Sequence, residues 1–122
     1  MAIELIASTH SDDRGTLTVI DKLLPFTVKR VFYIYDCSEI PRGGHRHKTN
    51  RQALVCVHGS CIVEWTNGRE SGEVLLERPD HVLVMEPEDW HFMRNFSKDA
   101  VLLVLASESY DPGDYIFEGY PR

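Results

Sequence analysis

The sequence predicts an all-β protein, a jelly-roll sandwich or barrel that forms one domain over residues 1–122. Short runs of β-branched, aromatic and alternating apolar residues are interrupted by turn residues about every ten positions. Gly and Pro are scattered between these runs and are not pooled in a linker. Many short strands with almost no helix favour two sheets wrapped around one core, because this arrangement buries sheet edges.

The predicted strands follow in order along the chain. The apolar stretch "MAIELI" comes first, and the alternating runs "GTLTVI" (15–20) and "TVKRVFYIYD" (27–36) follow. The next runs are "QALVCVHG" (52–59), "SCIVEWTNG" (60–68), "EVLLERP", "HVLVMEP", "HFMRNFS" and "AVLLVLAS". Asn67-Gly68 is a type I′ hairpin signal. The weak helix candidate is "ESYDPGDYIFEGYPR", which Pro112 and Gly113 interrupt.

Composition excludes several classes of function. The formal net charge of −6 is a poor match to duplex nucleic acid, which requires a basic surface. The apolar runs are far shorter than the roughly 20 residues of a membrane-spanning helix. The N-terminal stretch lacks a basic leader, so we expect a cytoplasmic protein. Three cysteines indicate reduced thiols, and we expect Cys56 and Cys61 to pack in the core.

Two histidines, His45 and His47, lie one residue apart in "PRGGHRHK". If this segment is a strand, both side chains project to the same side. They could be metal ligands, acid/base groups or exposed surface residues. With Gln52 and His91 they could hold the metal of an oxygenase, although an amide in place of a carboxylate weakens such a site.

The same residues resemble the cupin signature. The HxH pair is followed by Gln52, where the family has glutamate, and by Gly59; the second motif lies around His91 and lacks its glycine. Further segments resemble the WxcM-like group of cupins, the sugar 3,4-ketoisomerases: "DDRGTLTVID", "LPFTVKRVFYIYD", "QALVCVHGSC", "EPEDWH", "NFSKDAVLLVLAS" and "YDPGDYI". The resemblance spans residues 12–116. Arg46 and Arg51 depart from the family pattern and leave the stereochemistry of the product open.

The resemblance implies isomerisation of thymidine-diphosphate-linked 4-keto-6-deoxyglucose to a 3-keto sugar, with no cofactor and no metal. His45 and His47 would divide the roles of base and acid, because imidazoles titrate near neutrality. Repulsion between them would leave one neutral and one protonated. The order of the two roles stays open. Tyr33 would stabilise the developing oxyanion.

Six residues are candidates for substrate binding. Guanidinium groups suit a diphosphate, and Arg14 and Arg42 both stand beside glycines that allow close approach. Lys48 is a weaker candidate of the same kind. The remaining candidates are Gln52, His91 and Trp90, whose ring could stack on sugar or base.

The resemblance also implies a homodimer that exchanges N-terminal strands, with "MAIELI" pairing to a sheet edge of the second subunit. In that arrangement Arg14 would complete the partner's pocket. Two further alternatives remain open: a nucleotide-sugar epimerase, which shares the deprotonation step, and a non-catalytic sugar-binding cupin.

Overall fold

The computed structural model describes residues 1–121 as two five-stranded antiparallel sheets and a separate hairpin. The first sheet has the order β1 (Ile3–Ile6), β9 (His81–Met85), β6 (Gln52–His58), β11 (Val101–Ala106) and β4 (Arg30–Ile34). The second has the order β12 (Tyr115–Ile116), β5 (Arg42–His47), β10 (Trp90–Arg94), β7 (Cys61–Thr66) and β8 (Ser71–Leu76). β2 (Ser8–Asp12) pairs with β3 (Gly15–Val19). The predicted all-β jelly roll is confirmed.

Each predicted run contains a strand, and two elements differ from the prediction. The helix candidate near the C-terminus is a single 3₁₀ turn, Pro112–Asp114, that leads into β12. The hairpin between β7 and β8 forms, but the predicted two-residue type I′ turn is wrong. Four residues connect the strands, because the Asn67 side chain accepts hydrogen bonds from the backbone N–H groups of Arg69 and Glu70.

The main core lies between the two sheets. Strand alternation directs Leu54, Leu102 and Val104 inward from the first sheet, where they pack with Val63 and Met93 of the second. Cys56 and Cys61 are fully buried in the same cluster, which confirms their prediction as core residues. This apolar contact is the principal force that joins the sheets.

A second apolar cluster covers the outer face of the first sheet. Ala53, Val55 and Val84 pack there beneath residues of the segment 20–26. Arg51 fastens this segment, because its guanidinium donates to the Pro25 carbonyl and pairs with the Glu86 carboxylate. Arg51, which departs from the family pattern, therefore contacts Pro25 and Glu86 on the outer face of the sheet.

One end of the space between the sheets is polar. In the first sheet Arg30 pairs with Ala106, and Ala106 pairs with Gln52 on its other side. The three side chains form an inward row, and the small Ala106 leaves room for the two long polar neighbours. This row faces the inward histidines of β5 and β10, so the sheets bring together residues far apart in sequence.

Candidate active site

A cavity of about 300 Å³ opens at this polar end, between the two sheets. The first sheet contributes Arg30 and Gln52 to its wall, and the second contributes Arg42, His45 and His91. Tyr115 of β12 and apolar side chains complete the lining. The wall of the cavity therefore combines imidazole and guanidinium groups with apolar side chains.

Three imidazoles and one phenol form a compact cluster at the cavity, where His45, His91 and Tyr115 line the wall and His47 is buried beside them. The ring centroid of His45 lies 5.0 Å from that of His47 and 5.1 Å from that of His91. The Tyr115 ring lies 4.8 Å from His45 and 4.7 Å from His47. The structure therefore brings together the histidines of both predicted motifs.

A glycine at the start of β5 makes this close approach possible. Gly43 has φ 98°, a left-handed conformation, and a Cβ there would come within 3.0 Å of the His91 carbonyl oxygen. The β10–β5 register shifts between His91 and Phe92, which is the bulge that commonly redirects side chains near functional sites. Gly43 and this irregularity together set His45 opposite His91.

A buried carboxylate fixes the orientation of His47. Asp114, at the end of the 3₁₀ turn, has one oxygen 3.0 Å from His47 Nδ1. Its other oxygen accepts hydrogen bonds from the Thr49 backbone N–H (2.8 Å) and hydroxyl (2.9 Å). Because the carboxylate accepts, Nδ1 carries the proton and the buried Nε2 keeps a free lone pair. Burial opposes the charge of Asp114, but the bonds from Thr49, His47 and Asn50 hold its pKa below the ordinary value.

The environment favours neutral imidazoles. Burial, with the nearby His91, lowers the pKa of His45 to about 4, and burial likewise lowers the pKa of His91 to about 4. Burial and the neighbouring His45 lower the pKa of His47, although the bond to Asp114 opposes this shift. The expected resting pair of one neutral and one protonated histidine stays a prediction, and desolvation disfavours the charged form of each ring.

Two guanidinium groups line the cavity without an anionic partner among residues 1–121. Arg42 is exposed at the start of β5, where the cavity meets solvent. Arg30 is half-buried, and its Cζ lies 4.3 Å from the Phe32 ring centroid and 5.1 Å from that of Tyr110. Both cations are free to bind an anionic ligand.

Three predicted site residues lie outside the cavity of their own chain. Arg14 stands at the tip of the β2–β3 hairpin, 87% exposed and paired with Asp12. Lys48 is exposed beyond the end of β5. Trp90 faces the outer side of the second sheet, because it alternates with the inward His91, and its indole donates to the Phe117 carbonyl. Their predicted contact with the substrate stays a prediction.

Tyr33 lies at the cavity rim and its ring faces away from the cluster. It alternates with the inward Phe32, is 62% exposed and stacks on Tyr35. Tyr33 is nevertheless among the residues that line the cavity, and its predicted contact with the oxyanion stays a prediction. Tyr115 is the phenol that contacts the two catalytic candidates.

The donor set does not fit the metal of the oxygenase alternative. Within residues 1–121 no group of three or more His, Cys, Asp or Glu side chains is placed to hold an ion. Gln52 supplies a neutral amide, and the carboxylate of Asp114 is already bonded to Thr49 and His47. A divalent transition metal would lack the anionic oxygen ligand that stabilises such sites.

Sequence reasoning missed three residues of the site, Arg30, Asp114 and Tyr115. Arg30 had a signal, since a charged residue in an inward strand position needs a function or a partner. Asp114 and Tyr115 lie in the "DPGDY" segment, which has no period that predicts a wall of the pocket. Their placement depends on the pairing of β12 with β5, which sets Tyr115 beside His47.

Comparison with known proteins shows the family of this chain. The family model FdtA, described as WxcM-like, C-terminal, matches residues 1–120. The TDP-4-oxo-6-deoxy-alpha-D-glucose-3,4-oxoisomerase of Aneurinibacillus thermoaerophilus is 47% identical over 108 residues, 86% of this chain and 78% of the relative. A 3,4-ketoisomerase from Helicobacter canadensis is 39% identical with a TM-score of 0.92, covering 96% of this chain and 90% of that one.

A further solved structure carries a ligand. The 3,4-ketoisomerase QdtA from Thermoanaerobacterium thermosaccharolyticum, a mutant in complex with TDP-4-keto-6-deoxyglucose, is 36% identical with a TM-score of 0.91. The alignment covers 96% of this chain and 87% of that chain. With a family model over nearly all its residues and a relative of this identity, the chain belongs to the FdtA family of WxcM-like, C-terminal domains.

Proposed function

We propose that this protein is an isomerase, a TDP-sugar 3,4-ketoisomerase that converts TDP-4-keto-6-deoxyglucose to the 3-keto sugar. The observation that carries the proposal is the placement of His45 in the cavity wall, with its ring centroid 5.0 Å from that of His47, whose tautomer is fixed by Asp114. The relative from Aneurinibacillus thermoaerophilus and the solved neighbours described above have names of this activity.

The reaction moves a carbonyl between adjacent carbons. A base removes the C3 proton, the electron pair forms a C3–C4 double bond, and the C4 carbonyl oxygen takes the negative charge. The proton of the C3 hydroxyl then passes to this oxygen. Protonation of C4 re-forms a carbonyl at C3, so that atoms and electrons balance without a redox partner.

His45 is the residue that we assign to the C3 proton, because it lines the cavity and is neutral. Once it has accepted the proton, its imidazolium is an acid, and it can return the proton to C4. His47 presents an unprotonated Nε2 to the cluster and assists proton movement between the oxygens. Tyr115 contacts both rings and is a further hydrogen-bond donor.

Substrate binding follows from the charges of the pocket. Arg42 at the mouth would bind the diphosphate, while Gln52 and His91 would contact the sugar. Lys48 and Trp90 lie outside the cavity and could meet only the exposed nucleotide portion. The direct test is to incubate the protein with TDP-4-keto-6-deoxyglucose and follow it by NMR. We expect a 3-keto product and, in heavy water, exchange at the reacting carbons; an unchanged sugar would contradict the proposal.

We also propose a homodimer with exchanged N-terminal strands, in which β1 leaves its pairing with β9 of its own chain and pairs with a sheet edge of the second subunit. The β2–β3 hairpin that follows has almost no buried side chain. A two-stranded hairpin on its own is marginally stable in water, which favours a second copy as its support. Such a copy would bring Arg14 to the partner's cavity.

Mixing inactive variants tests this arrangement. Arg14→Ala and His45→Asn homodimers should both be weak enzymes. If Arg14 acts in the partner's site, a heterodimer has one site with neither substitution, so mixing should restore activity. No gain after subunit exchange, or a monomer by light scattering, would contradict the proposal.

A cytoplasmic location completes the proposal. The described cysteines Cys37, Cys56 and Cys61 are all free thiols, as a reducing compartment favours. Residues 1–121 contain no helix with the length and hydropathy needed to cross a bilayer. Fractionation of the native organism's cells would test the location.

A further inference from the structure

Arg30 is the half-buried cation of the cavity. It begins β4 and points inward, in the row that it forms with Ala106 and Gln52. Of the two arginines that line the cavity, Arg30 is half-buried and Arg42 is exposed. Arg30 therefore shares its row with Gln52, and Arg42 is the more exposed of the two cations.

The guanidinium is held in place without a carboxylate. Its Cζ stacks over the rings of Phe32 at 4.3 Å and Tyr110 at 5.1 Å, which orients the planar group through cation–π contacts. No ion pair of Arg30 occurs in the part of the chain that the structure describes. Its positive charge is thus not neutralised and remains available to the ligand.

We infer that Arg30 stabilises the enediolate intermediate of the proposed reaction through paired hydrogen bonds to the C3 and C4 oxygens. The inference rests on the proposed isomerase function. The negative charge develops on the C4 oxygen and then moves to the neighbouring C3 oxygen. A planar guanidinium can present two parallel N–H groups to two adjacent oxygens, as it does to a carboxylate, so one residue serves both stages.

The surrounding groups are consistent with this role. His47 faces His45, His91, Tyr115, Asp114 and the charge of Arg30. Asp114 is the acidic member of this set, and its oxygens already bond Thr49, Asn50 and His47. Arg30 is consequently the group here that carries a full positive charge while the imidazoles are neutral.

Substitution of Arg30 provides the test. Arg30→Ala should lower kcat by about 10²- to 10³-fold, the loss typical when an oxyanion donor is removed, while the affinity for TDP changes little. Methylguanidinium should restore part of kcat, and sodium chloride at the same ionic strength should not. Arg30→Lys keeps the charge without the planar pair of donors, so its kcat should be intermediate.

Lys29→Ala is the matched control. Lys29 is the adjacent residue, also cationic, and pairs with Glu108 at 3.6 Å on the outer surface. It should retain the kcat and KM of the unmodified enzyme. Circular dichroism confirms that each variant is folded, and Arg30→Lys remains informative if Arg30→Ala is not.

Three outcomes would overturn the inference. The first is an unchanged kcat in Arg30→Ala. The second is a loss of TDP affinity with kcat intact, which would assign Arg30 to the diphosphate. The third is that methylguanidinium fails to restore kcat in a folded Arg30→Ala variant. Turnover of TDP-4-keto-6-deoxyglucose by the unmodified enzyme is measured in parallel. If that turnover is absent, the proposed function is wrong. If it is present, the results for the variants test the role of Arg30 alone.

Discussion

Replacement of Asp114 by Asn should inactivate the enzyme by reversing the tautomer of His47. Asp114 is 7% exposed, and its Oδ2 lies 3.0 Å from His47 Nδ1 and 3.3 Å from the Asn50 nitrogen. In the variant the carbonyl oxygen can keep both bonds from Thr49, which places the NH₂ group against these two donors. His47 can relieve the conflict by moving its proton to Nε2, so that Nδ1 accepts.

The magnitude follows from the bonds that change. A charge-assisted bond contributes about 1.5–3 kcal/mol, and the Asn50 N–H would lose its partner at a cost of about 1–3 kcal/mol. The new bond to Nδ1 offsets part of this, so we expect a loss of about 3 kcal/mol and a fall in Tm of about 10 °C. A catalytic imidazole in the wrong tautomer loses up to about 10⁴-fold in kcat, and we expect about 10²- to 10⁴-fold here.

The assay combines steady-state kinetics with thermal melts and ¹⁵N NMR of the imidazoles. NMR should show the proton on Nδ1 of His47 in the unmodified enzyme and on Nε2 in Asp114→Asn. Asp111→Asn is the control, because Asp111 is exposed and accepts a single bond from the Gly113 N–H in the same turn. A fully active Asp114→Asn enzyme, or one that is inactive with an unchanged tautomer, would refute the reasoning.

Three further predictions concern the histidines. His45→Asn and His47→Asn should each lower kcat by two or more orders of magnitude while TDP still binds, and retained activity would make these side chains dispensable. The free energy of unfolding should be greatest above pH 6.5, the pKa of His91 in the unfolded chain, and should fall toward about pH 4, because burial lowers the pKa of His91 in the fold to about 4. His91 contributes about 3 kcal/mol of that loss. In His91→Gln, Tm should therefore depend less on pH. Dialysis against EDTA should leave turnover unchanged, and Gln52→Glu should introduce metal affinity and lower turnover. If chelation abolished turnover and one metal restored it, the histidines would be metal ligands.

The sequence by itself determined the fold class and the centre of the site. Period-2 alternation is a local property, so the strands of both sheets could be predicted from their own residues. The HxH spacing placed His45 and His47 on one side of a strand for the same reason, and the second motif supplied His91. Resemblance to the WxcM-like group then gave the reaction class.

The tertiary structure decided which polar residues share the cavity. Arg30 and Gln52 meet because Ala106 of β11 lies between them, and Asp114 reaches His47 across 67 positions. Such pairings depend on sheet order and register, which no local pattern encodes. The protonation states also required the fold, since burial overrides the ordinary pKa of an imidazole. Trp90 and Tyr33 illustrate the same limit, because strand alternation places Trp90 on the outer face of its sheet and leaves Tyr33 exposed at the cavity rim.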